Sequence, residues 1–180
     1  MNDSDILGIL SDYSDIAKVN VAPPKVTLET IAECRKYCET DDCGCYNKYC
    51  SCPPRVGSPE SRLEKLAQYS KAAIVPITYE ADYRDKAAMD QCIKDLQDKC
   101  RSMVLRLQDK GLECWGLADG GCKYCPRCSA LDDEPCRFPQ MQIQSVSGNG
   151  ILMGDYLKEV GAGSPYREGF IEMYAVILYN

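Results

Sequence analysis

The sequence contains no histidine at all. That absence removes Cys₂His₂ zinc fingers, haem held by His, and every acid–base or triad scheme that runs through an imidazole. A basic excess is also missing: 21 Lys and Arg stand against 27 Asp and Glu, for a formal net charge of −6. Neutralising nucleic-acid phosphates needs a basic face, so nucleic acid is not an expected partner. No apolar run approaches the roughly 20 residues that cross a bilayer, so no membrane partner is expected either. The opening Met1-Asn2-Asp3-Ser4-Asp5 has neither the basic nor the apolar region of an export signal. No P-loop, fixed-period repeat or low-complexity tract is present. Gly148-x-Gly150 follows no expected strand and Gly161-x-Gly163 follows a helix, so neither is a nucleotide fingerprint.

What the chain has instead is 13 Cys in 180 residues. A secreted disulfide scaffold would explain many Cys, but the count is odd, the export signal is lacking, and 45% apolar residues suffice for a core. The expectation is a cytoplasmic protein with reduced thiols. Any metal would be held mainly by thiolate, which selects iron–sulfur clusters, Zn or Cu(I).

The pattern predicts α/β organisation within one domain, residues 1–180. Residues 4–11 read as a short helix and Ile16 to Val21 as a half-buried strand stopped by Pro23-Pro24. Thr27 to Tyr37 is weakly helical. Ser58-Pro59-Glu60 starts a helix with an N-cap Ser and Pro at its first position, running to about Ser70. Ala72 to Tyr79 is β-rich, with Pro76 pointing to an edge or a bulge. Cys92, Leu96, Met103 and Leu107 recur at helical spacing within a long helix from Asp85 to Lys110, closed by Gly111. Leu112 to Leu117 reads as a strand, Asn149 to Val160 as a helix and Phe170 to Tyr179 as a final strand. The sum is a small, mainly parallel or mixed sheet of about four strands with covering helices. Two Cys-rich loops, 34–54 and 120–139, are left over for metal.

In the second loop, Cys122-x₂-Cys125-x₂-Cys128 is followed by Cys136 after seven residues. Two-residue gaps let successive thiolates curl around one inorganic cube while backbone amides point at its sulfides, as in the runs that hold a [4Fe–4S] cluster. Gly120-Gly121 allows the positive-φ turns such a loop needs. Structural Zn and free thiols or disulfides are the alternatives; Cys₄ Zn sites favour two C-x₂-C halves over three ligands in one run. The first loop holds six thiols: Cys34, Cys38, Cys43, Cys45, Cys50 and Cys52. A cube needs at most four. Cys52 leads, because Pro53-Pro54 stiffens the loop behind it; Cys38 and Cys43 come next, and Cys34 shares a helix face with Cys38 and could complete the set. Cys45 and Cys50 read as bystanders in small apolar sites, and Cys92, Cys100 and Cys114 as small buried hydrophobes. Trp115 and Tyr124 read as packing walls for the cluster loop.

The paired motifs Cys38-x₄-Cys43-Gly-x-Tyr46-x₅-Cys52-Pro53-Pro54 and Cys122-x₂-Cys125-x₂-Cys128-x₇-Cys136-Arg137-x-Pro139 resemble an uncharacterised family of bacterial and archaeal predicted metal-binding proteins. The resemblance implies a metal site and supports Cys38 and Cys43 as ligands. It departs at Cys50, where an aromatic residue is usual, and at Cys45, which is an addition.

Three functions compete. One is a protein with two [4Fe–4S] clusters that passes electrons between cytoplasmic redox partner proteins, its acidic surface steering it toward basic ones. Another is a cluster-dependent enzyme or accessory factor whose open iron handles a small sulfur or oxygen ligand. The third is a Zn-binding structural protein. No catalytic residue is identifiable.

Overall fold

The computed structural model describes residues 1–180. Four of its five helices open on side-chain caps. Asn2 and Thr27 each form a reciprocal box over α1 (Asp3–Leu10) and α2 (Leu28–Glu39). Ser58 caps α3 (Pro59–Leu66), with Pro at its start, and Asp85 caps the long α4 (Lys86–Asp109). The fifth, α5 (Met153–Glu159), is shorter than its sequence suggested. Residues Ser147–Asn149 form a separate 3₁₀ turn before it, and Gly150 at φ 78° breaks the helix between them.

The strands are β1 (Lys18–Val21), β2 (Lys71–Glu80), β3 (Cys114–Ala118), β4 (Gln144–Ser145) and β5 (Phe170–Tyr179). They form one mixed sheet in the order β1-β2-β5-β3-β4. Only β3 and β4 are parallel; the other three pairings are antiparallel. The expected α/β class is present, with five strands where about four were expected. The extra one, β4, is two residues long and carries no periodicity to read. Pro76 sits opposite Tyr174 of β5, while the register of β1 along β2 runs from Ala72 to Ile74. The proline therefore falls where the other edge of β2 has lost its partner, as its missing N–H requires.

Alternation sorts the sheet into two apolar faces. Ala73, Val75, Ile77, Ala175, Ile177 and Cys114 pack under α1 and α4. Ala72, Ile74, Val176, Leu178, Trp115 and Leu117 pack on the opposite side with Leu66 of α3 and Tyr156 of α5. Helix α4 lies close over β3: a Cβ at Gly116 would stand 2.7 Å from Val104 Cγ2 and 2.8 Å from Cys100 Sγ. Gly116→Ala is therefore expected to cost about 1–3 kcal/mol in denaturant unfolding, because neither neighbour can retreat into a filled core. Unchanged stability would mean that α4 can lift away from the sheet.

Candidate metal centre

Both Cys-rich segments converge where β3 ends. Helix α2 brings Cys34 and Cys38 one turn apart on one face, as their spacing predicts. Beyond it the chain reverses at Asp41, whose φ is 56°. The Asp41 carboxylate accepts the Tyr46 N–H at 2.8 Å and the Lys48 ammonium at 2.6 Å, closing a turn that carries Cys43 and Cys45. The strap Cys50-Ser51-Cys52 follows, and the Pro53 carbonyl accepts the Asn47 N–H at 2.9 Å.

The second loop is fastened from beneath by Gln97 of α4, which is fully buried. Its amide donates to the Asp119 and Gly121 carbonyls at 2.7 and 3.1 Å and accepts the Lys123 N–H at 2.8 Å. Gly121 presses on the Tyr49 ring so closely that a Cβ there would lie 2.6 Å from the ring. Arg55 spans the two segments, bonding Asn47 and reaching Asp133 at 2.6 Å. Gln97, Arg55 and Tyr49 carry no motif that marks them in the sequence. Only the helical register of Gln97, one residue past Leu96 on the buried stripe, hinted at a role.

One pocket gathers five thiols: Cys122, Cys125, Cys128, Cys136 and, from the first segment, Cys50. Cys50 Sγ lies 3.8 Å from Cys128 Sγ, and the Cys50 N–H donates to that same sulfur at 3.4 Å. Cys50 thus sits with the second group and not the first, delivered there by the turn through 50–52. Tyr124 and Phe138 wall this pocket edge-to-face at 5.5 Å, and the Arg101 guanidinium covers the outer side of Tyr124 at 4.9 Å.

This pocket is the second cage; the other thiols of the first Cys-rich segment form the first cage alongside it. Cys34, Cys38 and Cys43 line a cleft with Tyr37, Asp119 and Met153. Cys45 and Cys52 stand next to one another beside Cys43. The Cys52 thiol beside Cys45 draws Cys45 down to about 6, while Cys52 itself is pushed up by the Cys45 sulfur and by burial. The Gly121 amide and the Lys123 ammonium add to the acidity of Cys45. Burial pushes Cys34 up to about 11 and raises Cys38 and Cys43. The Ser147 hydroxyl, 3.9 Å from Cys38 Sγ, works the other way. Burial also lifts the Asp119 carboxyl to about 6.

Of the eight sequence-predicted ligands, Cys122, Cys125, Cys128 and Cys136 line one pocket, Cys34, Cys38 and Cys43 line the cleft beside it, and Cys52 stands next to Cys45. Each cage has one thiol more than a cube requires. Cys92, Cys100 and Cys114 are buried in the core beneath α4, as expected. Trp115 differs from expectation. Strand alternation turns it to the other face of the sheet, where it meets the Tyr69 ring at 6.0 Å and the Lys65 ammonium at 4.1 Å. Tyr124 does wall a thiol pocket.

A family model described as predicted metal-binding protein (DUF2284) matches residues 24–179. The chain belongs to that family. Every thiol of both DUF2284 cages lies inside the matched region. No curated protein and no solved structure matches the chain. Within this DUF2284 chain, no three Cys, Asp or Glu side chains are arranged to hold a single metal ion, and no helix is long and apolar enough to cross a membrane.

Proposed function

We propose that this chain is an iron–sulfur protein that binds two [4Fe–4S] clusters and passes single electrons between cytoplasmic redox partner proteins. The observation that carries the reading is the gathering of thiols from distant segments into two adjoining cages, with no nitrogen ligand available. All-thiolate sites of this kind suit iron–sulfur clusters, Zn or Cu(I), and the C-x₂-C-x₂-C run favours a cube over a single ion.

Cys122, Cys125, Cys128 and Cys136 would hold one cluster, and Cys34, Cys38, Cys43 and Cys52 the other. Bound there, the clusters would supply reversible one-electron chemistry. The protein's part is to shape their surroundings. Tyr124 and Phe138 line the second cage, the Cys50 amide donates to Cys128, and the Ser147 hydroxyl sits beside Cys38. The acidic surface, at a net charge of −6, would speed encounters with basic partners at low salt.

Protein purified without oxygen is expected to be brown and to carry about eight irons with matching acid-labile sulfide. Colourless protein with stoichiometric zinc would overturn the proposal. A second reading, an open-iron site handling a small sulfur or oxygen ligand, is favoured by one feature: the first cage faces solvent through a cleft where Cys43 is exposed. Added sulfide would perturb the spectrum of the same preparation only in that case.

A further inference from the structure

The two cages meet at Ser51. Cys50 faces the second cage and Cys52 the first, so three consecutive residues serve both sites. Two residues of chain span at most about 7 Å between Cα atoms. Ser51 is fully buried between them. Its hydroxyl oxygen accepts the Cys122 N–H at 2.7 Å, and Cys122 lines the second cage. With that acceptor role taken, the hydroxyl proton is free to point at Cys52 Sγ, 3.9 Å away in the first cage. The Ser51 carbonyl accepts the Ser145 N–H at 3.4 Å, which ties the strap to β4.

We propose that Ser51 couples the two centres, its hydroxyl setting the reduction potential of the first through Cys52 while the Cys50–Cys52 strap provides the route between them. This rests on the two-cluster reading above. Reduction adds one negative charge to a thiolate-ligated centre, and a donor aimed at a ligand sulfur stabilises that charge. With clusters bound in both cages, an electron supplied by a redox partner protein to one would pass to the other along the strap, one being oxidised as the other is reduced with no change of bonds.

The test is Ser51→Ala in the full chain, compared with the unaltered protein by iron and sulfide analysis, redox titration and electron paramagnetic resonance. Iron and sulfide should stay unchanged. The centre that Cys43→Ser removes should become harder to reduce by about tenfold in its one-electron equilibrium, ~59 mV. The fully reduced protein should show magnetic interaction between its two centres in both forms. Unmoved potentials with iron retained would overturn the role of the hydroxyl, and loss of iron would show that it holds the strap and not the potential. Reduced centres without magnetic interaction would overturn the coupling. An unaltered protein without iron would instead sink the two-cluster reading itself.

Discussion

Cys128→Ser is expected to strip about half of the iron, because under the proposed two-cluster reading one cube would lose a thiolate that serine cannot replace. Cys128 lines the second cage. It ends the C-x₂-C-x₂-C run, lies 3.8 Å from Cys50 Sγ and receives the Cys50 amide. Cys125→Ser should behave alike. Cys50→Ser should keep its iron, since Cys122, Cys125, Cys128 and Cys136 already supply four sulfurs; loss of half the iron would move Cys50 into the ligand set in place of one of them. Cys92→Ala and Cys100→Ala should retain all iron and cost only about 1 kcal/mol in packing. Iron analysis of the series decides the matter. Helix variants that lose iron while the loop variants keep it would reverse the assignment of the site.

Metal removal should have the second large effect, and a localised one. Metal binding to such loops supplies folding free energy directly, of order 10 kcal/mol for structural Zn in small fingers. Residues 122–137 are mostly exposed or half-buried, with Ser129 and Ala130 as their only buried members, so one 3₁₀ turn, a few side-chain bonds and metal would order them. The sheet has its own apolar faces and ten-residue pairing of β2 with β5. Chelation under reducing conditions is therefore expected to cut hydrogen-exchange protection of loop amides such as Cys122 and Cys128 at least ~100-fold, about 2.7 kcal/mol. Ile74 and Val176 should stay protected. Collapse of protection throughout the sheet would show that the core cannot stand without metal.

The sequence carried the helices well, because caps and apolar stripes are local. Asp85 and Ser58 mark their helix starts in the structure as they do in the chain. The order of strands was not legible, since β5 inserts between β2 and β3 through contacts that no local pattern encodes. The same limit governed the site. Cys50 and Cys52 stand two apart, and in a strand they would face one side together. Here successive turns spread them to different cages, so adjacency in sequence grouped Cys50 with the first segment while its side chain lies with the second. Trp115 was misplaced for a related reason: its neighbour Gly116 meets Cys100 of α4, and the single step between them reverses the face.

The central position of β5 bears on how the protein is made. Pairing Lys71 with Tyr179 joins residues about a hundred apart, and β3 has no other partner along most of its length. During synthesis every thiol of both cages leaves the ribosome before β5 does. At about 5–20 residues per second, the chain from Cys136 to Phe170 takes roughly 2–7 s to follow. For that interval the nascent chain carries its full set of cage cysteines on a half-built scaffold, open to oxidation and to mispairing. Metal loading during translation would compete with that damage, and loading after release would depend on a reducing cell to preserve the thiols.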